Sequence, residues 1–411
     1  MSWRIAKVGK VGMMVEGDIY ARSKPERSAD VVVLDGRGAV PDYAVSLGSA
    51  LAQDGVPVAL VSSPDAMCKY RGIHTGPGLK VYPFFALTFR GGLRNGWPLL
   101  VGWLRTMSLV LRLRPSLVHV QWLVSPRLES RVLRWLSRLL GFSTVYTVHN
   151  VLPHDSDPQV ILQWSAVYRR FQHLIVHTQN SRQRLLAMCP ELTTDRISVI
   201  PHGNYEYLCR EPINRADARR ALGIGLTTSV IAFVGKLRPY KGITTLLDAF
   251  QLCGRRLNAE LVIAGRADDR SYLAMVQEHI RLHAIPRVQL MERYLSDGEL
   301  QAVLSAADTV VLPYVDIDQS GIMLYAMTVG VPIIASRLES FVELLHGEEG
   351  ALLVPTGDAP ALADALVAML TNPGRREQIG KKGREIALSR YSWRRVAHET
   401  EALYKSLGLG R

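Results

Sequence analysis

Residues 229–242 read SVIAFVGKLRPYKG, an apolar run that enters a glycine and then a cationic loop. Val230, Ile231, Ala232, Phe233 and Val234 show no polar alternation, which is the pattern of a strand buried on both faces of a parallel sheet. Gly235 lets the backbone approach a ligand with no Cβ in the way, and Lys236, Arg238 and Lys241 set three positive charges at the strand's carboxyl end. Gly242 precedes a helical pattern, Ile243 to Cys253, whose free N–H groups and dipole add to that charge. The implied ligand is a phosphate, and a diphosphate before a monophosphate. The bland alternative is a solvated loop between a strand and a helix.

Working outward, the same scheme repeats on both sides of this stretch. Downstream, strands are expected at Leu261 to Ala264, Val288 to Met291, Val310 to Pro313, Val331 to Ala335 and Leu352 to Val354. Ser296 with Glu299 makes a capping box, Pro360 opens PALADALVAMLTN, and helical patterns over 375–390 and 393–407 end the chain. Upstream, ADVVVLDGRG, VPVALVS, Leu117 to Gln121, Thr144 to Val148, His173 to His177 and Ile197 to Ile200 alternate with helical segments such as PDYAVSLGSALAQDG. The expectation is an α/β chain of two doubly wound, Rossmann-like domains facing a cleft. Residues 1–28 form an extension, 29–203 the first domain, 204–228 a linker, 229–390 the second domain, and 391–411 a helix that crosses back to the first.

Composition bounds the function. At 411 residues the chain exceeds one core, and 48% hydrophobic with 21% charged residues excludes a disordered protein. A formal charge of +12 favours anionic partners: nucleoside diphosphates, phospholipid headgroups or nucleic acid. Cys68, Cys189, Cys209 and Cys253 have no ligand-like spacing and read as reduced thiols. The first residues lack a clean signal-peptide pattern, and no apolar run reaches the length of a membrane span. A cytoplasmic protein, peripheral at the inner face of a membrane, is expected.

GKLRPYKG, LVIAG at Leu261 to Gly265, Ala306–Ala307–Asp308 before TVVLPY, and SGIMLYAMTVGVPIIAS occur in an order that resembles the GT-B glycosyltransferases, in particular the family 4 type. The resemblance covers about residues 30–405 and implies the GT-B fold with a nucleotide-sugar donor on the second domain. It implies that Gly235, Lys236 and Lys241 grip the donor diphosphate, and that Gln319, Ser320, Gly321 and Ile322 present a helix start to it. Gly265, Arg293 and Tyr294 would surround base and sugar. Members of this family carry a spaced pair of glutamates around the glycine loop. Here the second position is Tyr325, which can donate a hydrogen bond to ribose but is no carboxylate, and the first falls near Ile317, flanked by Asp316 and Asp318. RPYKG, QSG, TVHNVLPHD and IPHGNY resemble a bacterial subgroup associated with GDP-mannose and lipid-linked acceptors in polysaccharide assembly.

In the first domain, His149, His154 and Asp155 follow a strand, and with Asp318 they are the catalytic candidates, since transfer to a hydroxyl needs a group to take its proton. Gly38, Gln121, Trp122 and His202 are acceptor-side candidates; Trp122 as core and His149 as a loop former are the plain alternatives. Between Arg90 and Arg138 stand nine arginines, no lysine and one acid, Glu129. On a helix Arg127, Arg131, Arg134 and Arg138 fall within about 60° of one another. Interleaved with Trp97, Leu99, Leu100 and Trp103, the arginines suit an anionic membrane surface or the mouth for a lipid-linked acceptor. No metal site and no cofactor beyond the donor is expected. The reading is a hexosyltransferase acting on a lipid-linked saccharide. The alternatives are a catalytically degenerate GT-B protein that supports a partner and a sugar-nucleotide epimerase. Without RNA-binding motifs or a helix-turn-helix, nucleic acid is not an expected partner.

Overall fold

The computed structural model describes residues 29–36, 38–64, 78–85, 96–151, 157–209, 213–254 and 257–410. The extension expected over 1–28, the candidates His154 and Asp155, and Cys68 lie outside the described residues. The first sheet holds β1 (Val31–Asp35), β2 (Val58–Ser62), β3 (Leu79–Pro83), β4 (Leu117–Trp122), β5 (Ser143–Thr147), β6 (His173–Val176) and β7 (Ile197–Val199), in the order β3-β2-β1-β4-β5-β6-β7. The second holds β8 (Ser229–Val234), β9 (Ala259–Gly265), β10 (Val288–Glu292), β11 (Thr309–Leu312), β12 (Ile333–Ser336) and β13 (Leu352–Val354), ordered β10-β9-β8-β11-β12-β13. The strand pairings named for both sheets are parallel. The expected GT-B architecture of two Rossmann-like sheets is therefore present.

The helices that join the first sheet are α1 (Pro41–Gln53), α2 (Gly96–Leu113), α3 (Pro126–Leu140), α4 (Pro158–Tyr168) and α5 (Gln179–Met188). Those of the second part are α6 (Arg215–Leu222), α7 (Ile243–Cys253), α8 (Arg270–Leu282), α9 (Asp297–Ala306), α10 (Gly321–Val329), α11 (Glu339–Leu345), α12 (Ala359–Thr371), α13 (Pro373–Arg390) and α14 (Trp393–Ser406). Their starts follow local chemistry. Ser296 and Glu299 form the reciprocal capping box read from the sequence, while Thr178 and Ser320 cap α5 and α10 with their hydroxyls.

In each sheet the strand order reverses beside the first strand, between β1 and β4 and between β8 and β11, which makes each of these places a switch point. The apolar runs are buried because helices cover both faces of the sheets: Val31, Val33 and Leu60 pack under α1, and Ile231, Phe233 and Ile263 lie in the core of the second sheet. α14 belongs physically to the first domain, where Val396, Ala397, Leu403 and Tyr404 join the cluster that contains α1. α6, within the segment expected as a linker, packs on α9. There Arg219 reaches Asp308 at 2.7 Å, Arg215 pairs with the same carboxylate, and Val230 donates its N–H to it at 2.8 Å. β3 was not expected from the sequence. It is an edge strand that buries only Leu79 and ends at Pro83, so neither alternation nor a continuous apolar run marks it.

Candidate active site

The carboxyl ends of β8 and β11 place the second domain's candidates together. After β8 the chain turns through Gly235 and a short 3-10 segment, Pro239–Lys241, into α7. Gly242 takes φ +66°, and a Cβ there would stand 1.9 Å from the carbonyl oxygen of Pro313, so the loop closes onto β11's end only with glycine. Gly265 does the same for β9, where a Cβ would lie 1.8 Å from the Gly235 carbonyl oxygen. A Cβ on Gly235 would come within 3.9 Å of Ile322, which brings the start of α10 to the same crevice.

The three cations of the opening stretch have different surroundings. Lys236 and Arg238 both reach Asp268, at 3.0 and 2.9 Å, at the protein surface. Lys241 is 8% exposed and carries no hydrogen-bond or ion-pair partner among the described residues. Its Nζ lies 3.7 Å from the centre of the Tyr314 ring. Burial pushes its pKa down to about 8, with the Tyr240 and Arg238 charges smaller and opposed to each other. A buried ammonium set against the Tyr314 and Tyr240 rings is suited to pair with an anion. Ser320 opens α10 beside Tyr314. Gly321 lies against Tyr205, whose ring stacks on Tyr325 at 5.3 Å and on His202 at 5.5 Å. Tyr325 is buried in that stack. Arg293 pairs with Glu299 at 2.6 Å, and Tyr294 is 72% exposed.

The first domain answers with a buried string of polar rings. Tyr404 Oη lies 2.5 Å from His119 Nδ1, and His119 Nε2 lies 2.7 Å from Thr147 Oγ1 and 3.0 Å from the Gln121 amide. That amide is 3.1 Å from His149 Nε2, His149 Nδ1 is 3.1 Å from His177 Nε2, and His177 Nδ1 reaches the Ile200 carbonyl at 3.0 Å. Because a carbonyl only accepts, His177 donates from Nδ1 and accepts at Nε2 from His149. The Gln121 amide lies with Oε1 toward His149 Nε2 and Nε2 toward His119 Nε2, and a half-turn of the amide lets its nitrogen donate to the lone pair of His149 Nε2. Burial holds all these imidazoles neutral: His119 is pushed down to about 3, His177 to about 4 and His149 well below its ordinary range. His202, also driven down to about 3 by burial, bonds its own Gly203 carbonyl at 2.6 Å.

Gly38 lies in the turn after β1, where Ala39 N–H bonds to Asp35 at 3.0 Å, and Trp122, half-buried, accepts Gly36 N–H on its carbonyl at 3.1 Å. Asp318 is 2% exposed and takes an ion pair from Arg184 at 2.7 Å and the N–H of Val151 at 3.0 Å. Sequence reasoning missed Arg184, His119, His177 and Tyr404. His177 had a signal, since it directly follows β6, the neighbour of β5, after which His149 stands; Arg184 and Tyr404 had none, because their partners are more than a hundred residues away. Among the described residues no group of three or more His, Cys, Asp or Glu side chains is arranged to hold a metal.

The family described as Glycosyl transferases group 1 matches residues 214–386, and that described as Glycosyltransferase Family 4 matches residues 40–203. A phosphatidyl-myo-inositol mannosyltransferase of Mycobacterium leprae is 35% identical over 198 residues, which are 47% of this chain and 50% of that protein. The chain thus spans half the length of that relative. A D-inositol 3-phosphate glycosyltransferase of Corynebacterium glutamicum is 28% identical over 389 residues, 89% of this chain and 91% of that protein. In fold, the chain is similar to Anabaena Alr3699/HepE in complex with UDP and glucose, with a TM-score of 0.72, 17% identity, and coverage of 92% of this chain and 100% of the other.

Proposed function

Because the chain belongs to the GT-B glycosyltransferases of the family 4 type, we propose that it moves a hexose from a nucleoside diphosphate sugar to a hydroxyl of a lipid-linked saccharide, with GDP-mannose as donor. The observation that carries the donor half is Lys241, a buried ammonium with no acceptor at the second sheet's switch point. As the bond between the sugar carbon and the diphosphate oxygen breaks, charge grows on that oxygen, and Lys241 with the N–H groups opening α10 offsets it. Lys236 and Gly235 line the same loop. With these groups supplying the positive charge, transfer needs no metal. The acceptor's proton goes to His154 or Asp155 in the segment that follows His149, because both ring nitrogens of His149 are engaged by His177 and Gln121. Mannose is favoured by the likeness to the mannosyltransferase of Mycobacterium leprae and by the RPYKG and IPHGNY motifs.

A thermal-shift panel of nucleoside diphosphate sugars tests this, since a ligand that binds only the native state stabilises it. GDP-mannose is expected to raise Tm the most, and mannosyl transfer to a lipid-linked acceptor is expected to persist in EDTA. Stabilisation by no member of the panel overturns the donor reading. Loss of transfer in EDTA that Mg²⁺ restores overturns metal independence, and turnover of a UDP-sugar without acceptor favours the epimerase.

The acceptor half of the proposal includes an anionic membrane surface. α2 exposes Trp97, Leu100, Leu104 and Leu111 on one side, with Arg105 and Arg112 beside them. α3 exposes Leu128, Trp135 and Leu139 next to Arg127, Arg131 and Arg138, while Arg134 is half-buried. The one acid of this segment, Glu129, is buried and takes the indole N–H of Trp103 at 2.6 Å. Burial raises its carboxyl to about 7. The outer face is left with arginine and apolar side chains, the pair of contacts an interfacial helix uses. No helix among the described residues is long and apolar enough to cross a membrane. In vesicle sedimentation the protein is expected to bind phosphatidylglycerol-containing vesicles. Replacing Arg127, Arg131 and Arg138 together with Gln is expected to weaken binding by about 100-fold, from about 1 kcal/mol for each basic residue near the surface. Equal binding to pure phosphatidylcholine overturns the assignment.

A further inference from the structure

The donor loop of the second domain is held by the first domain. Arg184 on α5 extends its guanidinium across the cleft and forks onto Asp316, with Nη1 to Oδ1 at 3.1 Å and Nη2 to Oδ2 at 3.3 Å. Nη1 also lies 2.7 Å from Asp318 Oδ1. The other oxygen of Asp318 takes the N–H of Val151 at 3.0 Å, from the loop after β5. One turn of α11 away, Glu343 receives the first two N–H groups of α5, Gln179 at 2.6 Å and Asn180 at 3.3 Å. α11 and the loop are themselves tied, because Ser340 donates to the carbonyl of Ile317 at 2.9 Å.

These contacts converge on the segment 315–320 that leads from β11 into α10, so the residues that meet the first domain also set where Ser320 and Gly321 stand. Asp318 is buried in this closed arrangement, and its charge is compensated from the first domain by Arg184 and Val151. Both compensating groups come from the first domain. A planar guanidinium suits this position because it forks onto Asp316 while its charge stays beside Asp318, which a lysine ammonium does with poorer geometry.

We propose that Arg184 is a positioning residue for transfer: it couples closure of the first domain to the placement of the donor loop and the start of α10, and Asp316 and Asp318 are its partners in that clasp. This rests on the reading of α10's start as part of the donor site. Asp318 acts in it as an anchor for the loop and not as a proton acceptor.

The test uses the full chain with Arg184→Ala, Arg184→Lys and Asp316→Ala, read by small-angle scattering without ligand and by steady-state kinetics with GDP-mannose. Arg184→Ala is expected to enlarge the radius of gyration and to raise the donor KM by about tenfold, the factor for about 1.4 kcal/mol. Its kcat is expected to change less than its KM, and Arg184→Lys is expected to recover part of both losses. Arg182→Ala on the same helix, whose partner Thr194 is within the first domain, is expected to change neither. Unchanged radius and KM in Arg184→Ala overturn the clasp. A raised KM with no change in radius also overturns it, since Arg184 would then be a direct donor contact. Should Arg184→Ala fail to fold, Asp316→Ala, at a half-exposed carboxylate, is judged by the same two readouts. Absence of transfer with every donor sinks the functional reading alone, because scattering still reports whether the clasp holds the domains together.

Discussion

Lys241→Met is expected to lower kcat by about 10²- to 10³-fold, the loss seen when one preorganised group facing a developing anion is removed. The same substitution is expected to stabilise the unliganded protein. The buried ammonium has a folded pKa of about 8 against an ordinary value of 10.5, a difference that corresponds to about 3 kcal/mol spent on holding the charge in the core. The sign follows from proton counting. Below pH 8 both the native and the unfolded chain carry the proton, and the native chain bears the full cost. Between pH 8 and 10.5 the unfolded chain binds more protons than the native one, so stability rises with pH and the advantage of methionine shrinks. Denaturant titrations at pH 7 and pH 10 measure that difference. Donor affinity should move the other way and weaken as the pH rises through 8, because the free protein then presents a neutral amine to the diphosphate. Wild-type turnover in Lys241→Met would sink the donor-site assignment.

Asp308→Ala is expected to cost about 3–5 kcal/mol, which is the loss that follows when one partner of a buried ion pair is deleted and the other is left charged. Arg219 has a side chain only 4% exposed, and it would lose its carboxylate at 2.7 Å together with the acceptor for Val230 N–H. Tm should fall by about 10 °C or more at 2–4 °C per kcal/mol. Adding Arg219→Met should return much of the loss by removing the stranded guanidinium. Donor KM, measured well below the transition, should stay within about twofold. A loss under about 1 kcal/mol would mean that water replaces Asp308, and the α6 contact would then not be a fixed part of the second domain.

Periodicity and loop chemistry made the two sheets readable, since Val230 to Val234, Leu261 to Ala264 and Val31 to Leu34 are apolar runs bounded by glycine loops, as strands covered on both faces must be. The capping box at Ser296 was readable for the same local reason. What is long-range was not. Asp308 could be seen as the end of a motif, but nothing near it in sequence announces three arginines from 215, 219 and 376 around it. Lys236 and Lys241 look alike in sequence; only the Tyr314 ring and Asp268 make one a buried unpaired cation and the other a surface ion pair. His149 read as a catalytic candidate or a loop former after a strand. In the fold both of its ring nitrogens are taken up, by His177 and Gln121, each about 28 residues away on neighbouring strands. Glu129 read only as the one acid among nine arginines, and its burial removes it from that face.

The last helix, α14, bears on how the protein is made. Tyr404 bonds to His119 in the middle of the first sheet, and Val396, Ala397 and Leu403 close the face that α1 begins. The first domain's own last strand ends at Val199, yet its core lacks this layer until residue 404 has left the ribosome. At about 5–20 residues per second, that interval is about 10–40 s of synthesis. Through it the apolar underside of α1 stands uncovered, while the second domain, contiguous from α6 to α13, can complete its core first. Translation runs from the first domain to the second, and completion of their cores runs in the reverse order.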